Sequence, residues 1–407
     1  MLQSEYIFNT ESVTEGHPDK LCDQMSDAIL GNYLFHDPRA RIITECSVST
    51  GLIFIAIKHH SKATPDASSI VRDVIREAGY IGNGFDAGSS TILFSLTQVK
   101  EKHLGRVDES TLSDEEIDRI PAKDQVTCFG FACDHTSVLM PLPIYLAHKL
   151  AKQLAEVRKN KVLPYLSPDG KTQVGVEFKN KRPHRIHSIT LFASQSEYGT
   201  PKAQKLKDDL IQTVIEPIFV DEAITIDHRT RIHVNPHGPL ITGGPAKHSG
   251  LTGRKTAVDT YGGFARHSGV GLSGKDPSRI DRIGVYAARY AAKNVVAAGL
   301  AEMCEVQLSY SIGFSAPVSI QVETFGTAKI PEAEIIRRIA SIFDFRVGGI
   351  VKEFQLRSLP KQHGVDFYQK LSAYGQVGRT DLSLPWEKTD RFEQIRERHL
   401  KVIQKVK

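Results

Sequence analysis

The chain has 407 residues, of which 40% are hydrophobic and 24% charged, and its 52 Lys and Arg against 47 Asp and Glu leave a net charge of +5. This is ordinary globular composition, which excludes wholesale disorder, and the length exceeds what one hydrophobic core usually serves, so two or three domains are expected. The charge is too mild to point to nucleic acid and suits a small anionic substrate.

Pro18 opens a helix in which Leu21, Met25, Ile29 and Tyr33 recur every four residues as one apolar face. Asp19 and Asp23 fall one turn apart at its start. Residues 41–48 and 52–58, separated by Ser49, Thr50 and Gly51, read as a β-hairpin. Thr64, Pro65 and Asp66 cap a helix reaching Ala78, and a strand follows at 91–97. From 99 to 124 the pattern changes to many charges without a sustained apolar period, apart from a short acidic helical hint at 113–119. Such a segment inside a compact domain reads as a lid or as a solvated surface excursion.

The middle third brings strand 126–133, helix 143–159, strands 173–178 and 185–194, helix 201–215 and strand 231–234. Between them Asp169, Gly170 and Lys171 read as a turn at a hairpin tip. The last third offers a long alanine-rich helix from 277 to 298, strands at 304–312 and 319–325, and a helix at 331–343. Strand pairs and helices in each third predict an α+β fold of three similar units, each with helices on one face of a sheet. The five cysteines include no C-x-x-C pair, so buried free thiols are expected rather than disulfides or a zinc site. No signal-peptide pattern or bilayer-length apolar run is evident, which predicts a cytoplasmic location without a membrane partner.

Three stretches mix glycines with cations or carboxylates. They are Glu15-Gly16-His17-Pro18-Asp19-Lys20, the segment 250–255 ending in Gly253, Arg254 and Lys255, and the segment 269–281 carrying Gly269, Gly271, Gly274, Lys275, Arg279 and Asp281. A triphosphate with divalent metals calls for this mixture: carboxylates hold Mg²⁺, and Lys, Arg and His groups answer the remaining phosphate charge. The third stretch matches G-x-G-x-x-G and nearly matches a Walker A loop, but Asp276 stands where that loop has Ser or Thr, and 259–264 is turn-like where a dinucleotide fingerprint needs a strand. Pro277 is expected to start a helix with Arg279 and Asp281 in its first turn. His17, between Gly16 and Pro18, must sit just before a helix. It is either a structural loop histidine or, beside a metal carboxylate, a donor to a developing oxyanion.

Taken with blocks 138–143, 155–160, 258–263, 286–290 and 385–390, the segments 11–20, 250–255 and 273–278 make the chain resemble the S-adenosylmethionine synthetase (methionine adenosyltransferase) family, in family order from near one end to near the other. The resemblance implies three interleaved, pseudo-threefold-related α+β domains: 1–15 plus 135–243, 16–113 plus 244–283 with a gating loop at about 99–124, and 114–134 plus 284–407. It implies a homodimer or homotetramer with active sites between subunits, and a reaction in which a thioether sulfur attacks C5′ of ATP and the triphosphate leaves, to be cleaved to pyrophosphate and phosphate. Two Mg²⁺ ions would be held by Asp19 and Asp281, and K⁺ by Glu45. His17, Lys171, Arg254, Lys255, Lys275 and Arg279 would stabilise the triphosphate, Arg279 standing where the family usually has Lys, and Asp169 would bind the nucleotide. Of these, His17, Lys171, Arg254 and Lys275 are the expected catalytic groups.

Departures from the family pattern cluster at the positions implied to receive the sulfur substrate. Lys58 stands in place of a Glu, His248 in place of an Asp and Val99 in place of a Gln, while Asp124 lies in an altered loop and Leu240 replaces an aromatic residue implied to pack on adenine. Glu11 and Asp124 are the carboxylates available to compensate for the two lost anions. The expected substrates are therefore ATP with methionine. The alternatives are a thioether lacking the α-amino group, such as the keto-acid analogue, or a catalytically weak nucleotide-binding paralogue.

Overall fold

A computed structural model describes residues 5–82, 84–99, 107–197 and 199–397. The strands are β1 (Glu5–Val13), β2 (Arg41–Ser49), β3 (Leu52–His60), β4 (Thr91–Gln98), β5 (Val126–Cys133), β6 (Leu166–Lys179), β7 (Arg182–Gln195), β8 (Arg231–Val234), β9 (Leu240–Ile241), β10 (Gly250–Leu251), β11 (Met303–Tyr310) and β12 (Ser319–Glu323). They form three sheets, ordered β1-β6-β7-β8 with β9 also on β7, β10-β2-β3-β4, and β12-β11-β5. Each sheet takes strands from widely separated parts of the chain, so the α+β class holds and its units are interleaved rather than sequential.

One long helix covers each sheet. Helix α1 (Pro18–His36), with α2 (Ala67–Ala78), backs the β2 sheet; α3 (Leu142–Lys159) packs on β1 and β6; α5 (Ile280–Ala297) packs on β5 and β11. Between α3 and α5, α4 (Ala203–Leu210) closes the core of the β6 sheet together with Phe178, Ile189 and Leu191. A second, larger core joins the other two sheets through residues such as Met25, Ile55, Ala288 and Val306. All five cysteines are free and buried. Among the described residues no helix is long and apolar enough to cross a membrane.

The structure differs from the expected elements at four places, each with a physical reason. Helix α1 has no solvent face in its first half, because Asp19, Asp23 and Asp27 are buried along with Leu21, Met25 and Ile29. Asp169, Gly170 and Lys171 lie within β6, not at a turn: Lys171 pairs with Val13, and Gly170 with Ala193. A side chain at Gly170 would meet Leu154 at 2.9 Å and the Phe192 carbonyl at 3.1 Å, so the glycine marks a tight helix–sheet contact. Helix α4 ends at Leu210 and gives way to a π-turn over Ile211–Ile215. Pro217 has no N–H for the Thr213 carbonyl, which accepts from Gln153 at 2.9 Å instead. Finally, α5 begins at Ile280 with Arg279 as its cap residue, because Asp276 holds the preceding turn through the N–H groups of Ile42 (2.8 Å) and Ser278 (2.7 Å).

The charged segment after β4 is also better defined than a lid. Glu109 is buried in a two-bond ion pair with Arg357, Ser113 and Glu116 form a capping box, and Ile117 and Ala122 enter the core. Residues 107–124 of the expected gating loop are thus packed on the fold, and residues 100–106 lie outside the described residues.

His148, on α3, is buried with its Nδ1 2.8 Å from Ser12 Oγ, and burial lowers its pKa to about 3. Below pH 6.5 the unfolded chain binds a proton that this histidine refuses in the fold. Its contribution makes stability fall as pH falls towards that value, by up to about 1.4 kcal/mol per pH unit. Denaturant unfolding at pH 7 and pH 5 should show His148→Gln losing less stability on acidification than the unaltered protein.

Candidate functional site

Helix α1 organises the site through three carboxylates one turn apart. Asp19 Oδ1 accepts the Leu251 N–H at 3.1 Å, Asp23 Oδ1 that of Gly253 at 2.8 Å, and Asp27 Oδ1 that of Gly274 at 2.8 Å. The two glycine-containing loops, 250–255 and 269–276, are thus seated on one helix face. They also touch each other: a Cβ at Gly253 would lie 2.8 Å from Gly271 Cα, so the backbones approach as only glycines allow. Gly274 adopts φ +78°, and its carbonyl accepts from Thr44 N at 2.8 Å, tying the second loop to β2.

Behind this face lies a buried ionic network that the apolar periodicity of α1 concealed. The three Lys20 ammonium protons go to Asp23 (2.8 Å), Asp259 and the Ser372 carbonyl (2.9 Å). Burial opposes the Lys20 charge, but Asp23 and Asp259 outweigh it and hold the ammonium above its ordinary pKa. Burial pushes the Asp23 carboxyl above its ordinary pKa, with Lys20 pulling the other way. Arg282 makes two bonds to Asp27, at 2.7 and 3.0 Å, and also reaches the Lys275 carbonyl at 3.1 Å. The spacing of four between Asp19, Asp23 and Asp27 was the available signal for this arrangement; Arg282 and Asp259 carried none.

The charged groups at the surface of this frame fall into two sets. In the first, His17 is the cap residue of α1, its Nδ1 accepting the Asp19 N–H at 3.2 Å. Burial lowers its pKa to about 3, with Lys171 and Lys255 adding to the effect and Asp169 opposing it, so the ring is neutral and its Nε2 carries the proton. Asp19 is nearly buried and has Arg254 at 3.6 Å and Lys255 at 3.8 Å. Lys255 lies equally close to Glu11, and these residues line a cleft of about 310 Å³ with Gln173, Arg254 and Gly262. Asp169 accepts from Gly244 N (2.8 Å) and from His248 Nε2 (2.9 Å). Burial raises its pKa, but these bonds and the neighbouring His17 bring it below the ordinary value. In the second set, Lys275 is ion-paired with Asp281 in the first turn of α5, and Asp281 Oδ1 is buried without a hydrogen-bond partner. Arg279 caps the same helix.

Other expected site residues stand apart from both sets. Glu45 and Lys58 are exposed on the open face of the β2–β3 hairpin, opposite Ala56 and Ile43 respectively. Val99 follows β4, its carbonyl 2.7 Å from His60 Nδ1. Asp124 is exposed and accepts from the Gln125 N–H at 2.9 Å, and Leu240 is exposed on β9.

Three family models match the chain, described as the N-terminal (residues 5–101), central (119–240) and C-terminal (242–388) domains of S-adenosylmethionine synthetase. Similar curated proteins include the S-adenosylmethionine synthase of Trichodesmium erythraeum, 46% identical over 97% of both chains. That of Synechococcus sp. (strain JA-3-3Ab) is 47% identical over 96% of this chain and 97% of its own.

Proposed function

Since the chain belongs to the S-adenosylmethionine synthetase family and is an adenosyltransferase of that type, we propose that it joins ATP and methionine at a site shared between two subunits. The observation that carries this reading is the pairing of Asp19 with Arg254 and Lys255, and of Asp281 with Lys275. Nearly buried carboxylates among cations suit divalent metal and polyphosphate together, and the unpartnered Asp281 Oδ1 has room for one more positive partner. Asp19 and Asp281 would hold Mg²⁺, and Glu45 K⁺. Bound there, Mg²⁺ would neutralise charge building on the triphosphate oxygens.

The sulfur lone pair attacks C5′, the C5′–O bond breaks, and its electron pair leaves on the triphosphate. Arg254, Lys255, Lys171, Lys275 and Arg279 hold that triphosphate, which water then cleaves to pyrophosphate and phosphate. His17 acts as a neutral donor: with Nδ1 occupied by the Asp19 N–H, its Nε2–H is free for a developing oxyanion. Asp169, fixed by Gly244 and His248, orients the nucleoside.

The β2 sheet supports a two-subunit assembly. Its outer face exposes Leu52 (44%), Phe54 (43%), Leu93 (50%) and Leu251 (45%), an apolar surface a lone chain would leave in water. The same face carries Glu45 and Lys58, so a second copy seated there, as a homodimer or within a homotetramer, meets the substrate-side residues. The interleaved units, 1–15 plus 135–243, 16–113 plus 244–283 and 114–134 plus 284–407, each contain one sheet. A reducing cytosol suits the five free thiols.

Lys58 and His248 favour a second reading of the nucleophile. A cation on the open face and an imidazole bonded to Asp169 are poor partners for an α-ammonium and good ones for a thioether keto acid. Incubation with ATP, Mg²⁺ and K⁺, and with methionine or its 2-oxo analogue, should yield a sulfonium product with methionine, followed with phosphate release. Lys58→Glu should raise the preference for methionine over the analogue on the order of ten-fold, the equivalent of about 1.4 kcal/mol. An unchanged ratio would remove Lys58 from the ammonium site, and no sulfonium with either compound would sink the adenosyl-transfer reading.

A further inference from the structure

His17, Asp169 and His248 arrive from the cap of α1, strand β6 and the turn following 244–246, and one ligand atom from each lies within 4.8 Å of the others. His248 Nε2 is 2.9 Å from Asp169 Oδ2, a hydrogen bond that holds the imidazole beside the carboxylate. The two imidazoles stand edge to face with centroids 5.1 Å apart. Asp169 is 6% exposed, and its Oδ1 is buried with no hydrogen-bond partner. A buried carboxylate oxygen left without a partner is costly and calls for a cation or donor.

We propose that His17, Asp169 and His248 bind one divalent transition-metal ion of the zinc class, beside the Mg²⁺ carboxylate Asp19, whose Oδ2 is 3.9 Å from His17 Nδ1. Two imidazoles with one carboxylate, and a position left open for water, are a borderline-soft donor set that suits Zn²⁺ or Co²⁺, whereas Mg²⁺ takes oxygen ligands. Two of the ligands are already placed: His17 by its backbone position at the start of α1, Asp169 by the Gly244 N–H. His248, 40% exposed, is the one free to close on the ion.

Ion entry changes two hydrogen bonds in a definite way. The Asp169–His248 proton leaves Nε2 for Nδ1 or solvent, and Asp169 ligates through its unpartnered Oδ1 while Oδ2 keeps Gly244. His17 gives up its cap bond whichever nitrogen binds: Nδ1 directly, or Nε2 because the ring proton must then sit on Nδ1. That bond is long, at 3.2 Å, and is the smaller of the two losses.

Cobalt titration of the metal-free full chain, with Mg²⁺ in excess and neither ATP nor thioether present, tests the site by visible absorption. An ion held here takes the His17 and Asp169–His248 bonds used in adenosyl transfer, so it competes with ATP, and the titration without ATP reads the metal site alone. The expected result is a strong band of imidazole-bound, low-coordinate Co²⁺ saturating at one ion per chain. In His248→Asn the affinity should fall by at least about 10–100-fold, the loss seen on removing even a group that supports a ligand. In His248→Asp, which keeps three ligands, the band should shift. Weak six-coordinate spectra, or spectra identical in the unaltered chain and His248→Asn, would overturn the proposal. His248 is partly exposed, and an unchanged unfolding transition in both variants separates ligand loss from misfolding.

Discussion

Replacing Asp281 with Asn is expected to stop adenosyl transfer with every thioether, by a factor on the order of 10²–10³ or more, the range for losing one preorganised charge-stabilising group. The substitution keeps the size of the side chain and removes its charge. Lys275 then loses its ion-pair partner, and the buried Oδ1 position no longer offers a negative ligand. The division of charged groups into an Asp19 set and an Asp281 set makes the same variant a test of subunit sharing. If each site takes Asp19 from one chain and Asp281 from the other, mixing inactive Asp19→Asn and Asp281→Asn proteins rebuilds one unaltered site per mixed dimer. Random exchange should then restore about a quarter of the activity under two-fold symmetry. Activity that stays absent after verified exchange would place both carboxylates of a site in one chain.

The second large effect is on stability. Arg282 is 1% exposed, is bonded twice to Asp27, and has its guanidinium carbon 4.7 Å from the centre of the Tyr368 ring. Arg282→Met preserves much of the aliphatic volume but leaves Asp27 buried without a counter-charge, a change that costs about 3–5 kcal/mol. It also weakens the hold of Asp27 on the Gly274 N–H, so the Lys275 loop loses its seat. Denaturant unfolding should show the loss. The double variant Arg282→Met with Asp27→Leu should recover part of the stability but not the activity, since only the charge imbalance is relieved. Equal stability of both variants would contradict the buried-pair account.

How much of this was legible in the chain depended on the range of the interaction. Apolar repeats of two and four gave the β2–β3 hairpin, α1 and α2 close to their observed bounds, because neighbouring residues dictate those patterns. Asp19, Asp281 and the cations around them were legible through composition at close spacing. Gly170 looked like a turn because a strand glycine and a turn glycine read alike; what distinguishes it is Leu154, which α3 brings against it. Likewise Pro277 looked like a helix start, and only the Asp276 bond to Ile42, on β2, delays α5 to Ile280. The pairing of Asp27 with Arg282 spans most of the chain and left no local mark. Family resemblance placed His248 at an altered position; its approach to His17 and Asp169 needed three dimensions.

The three carboxylates of α1 behave as a ruler. Four helical residues advance about 6 Å along the axis. Strand β10 ends at Leu251, and the chain turns through Gly253 at φ +82°. That turn brings alternate N–H groups, those of Leu251 and Gly253, opposite Asp19 and Asp23 one helical step apart. Loops ordinarily tolerate insertions, but this one is in register with a rigid scale: one extra residue between Leu251 and Gly253 would bring the wrong peptide unit opposite Asp23 and rotate Arg254 away from Asp19. Its length, as much as its composition, sets where the positive charge stands.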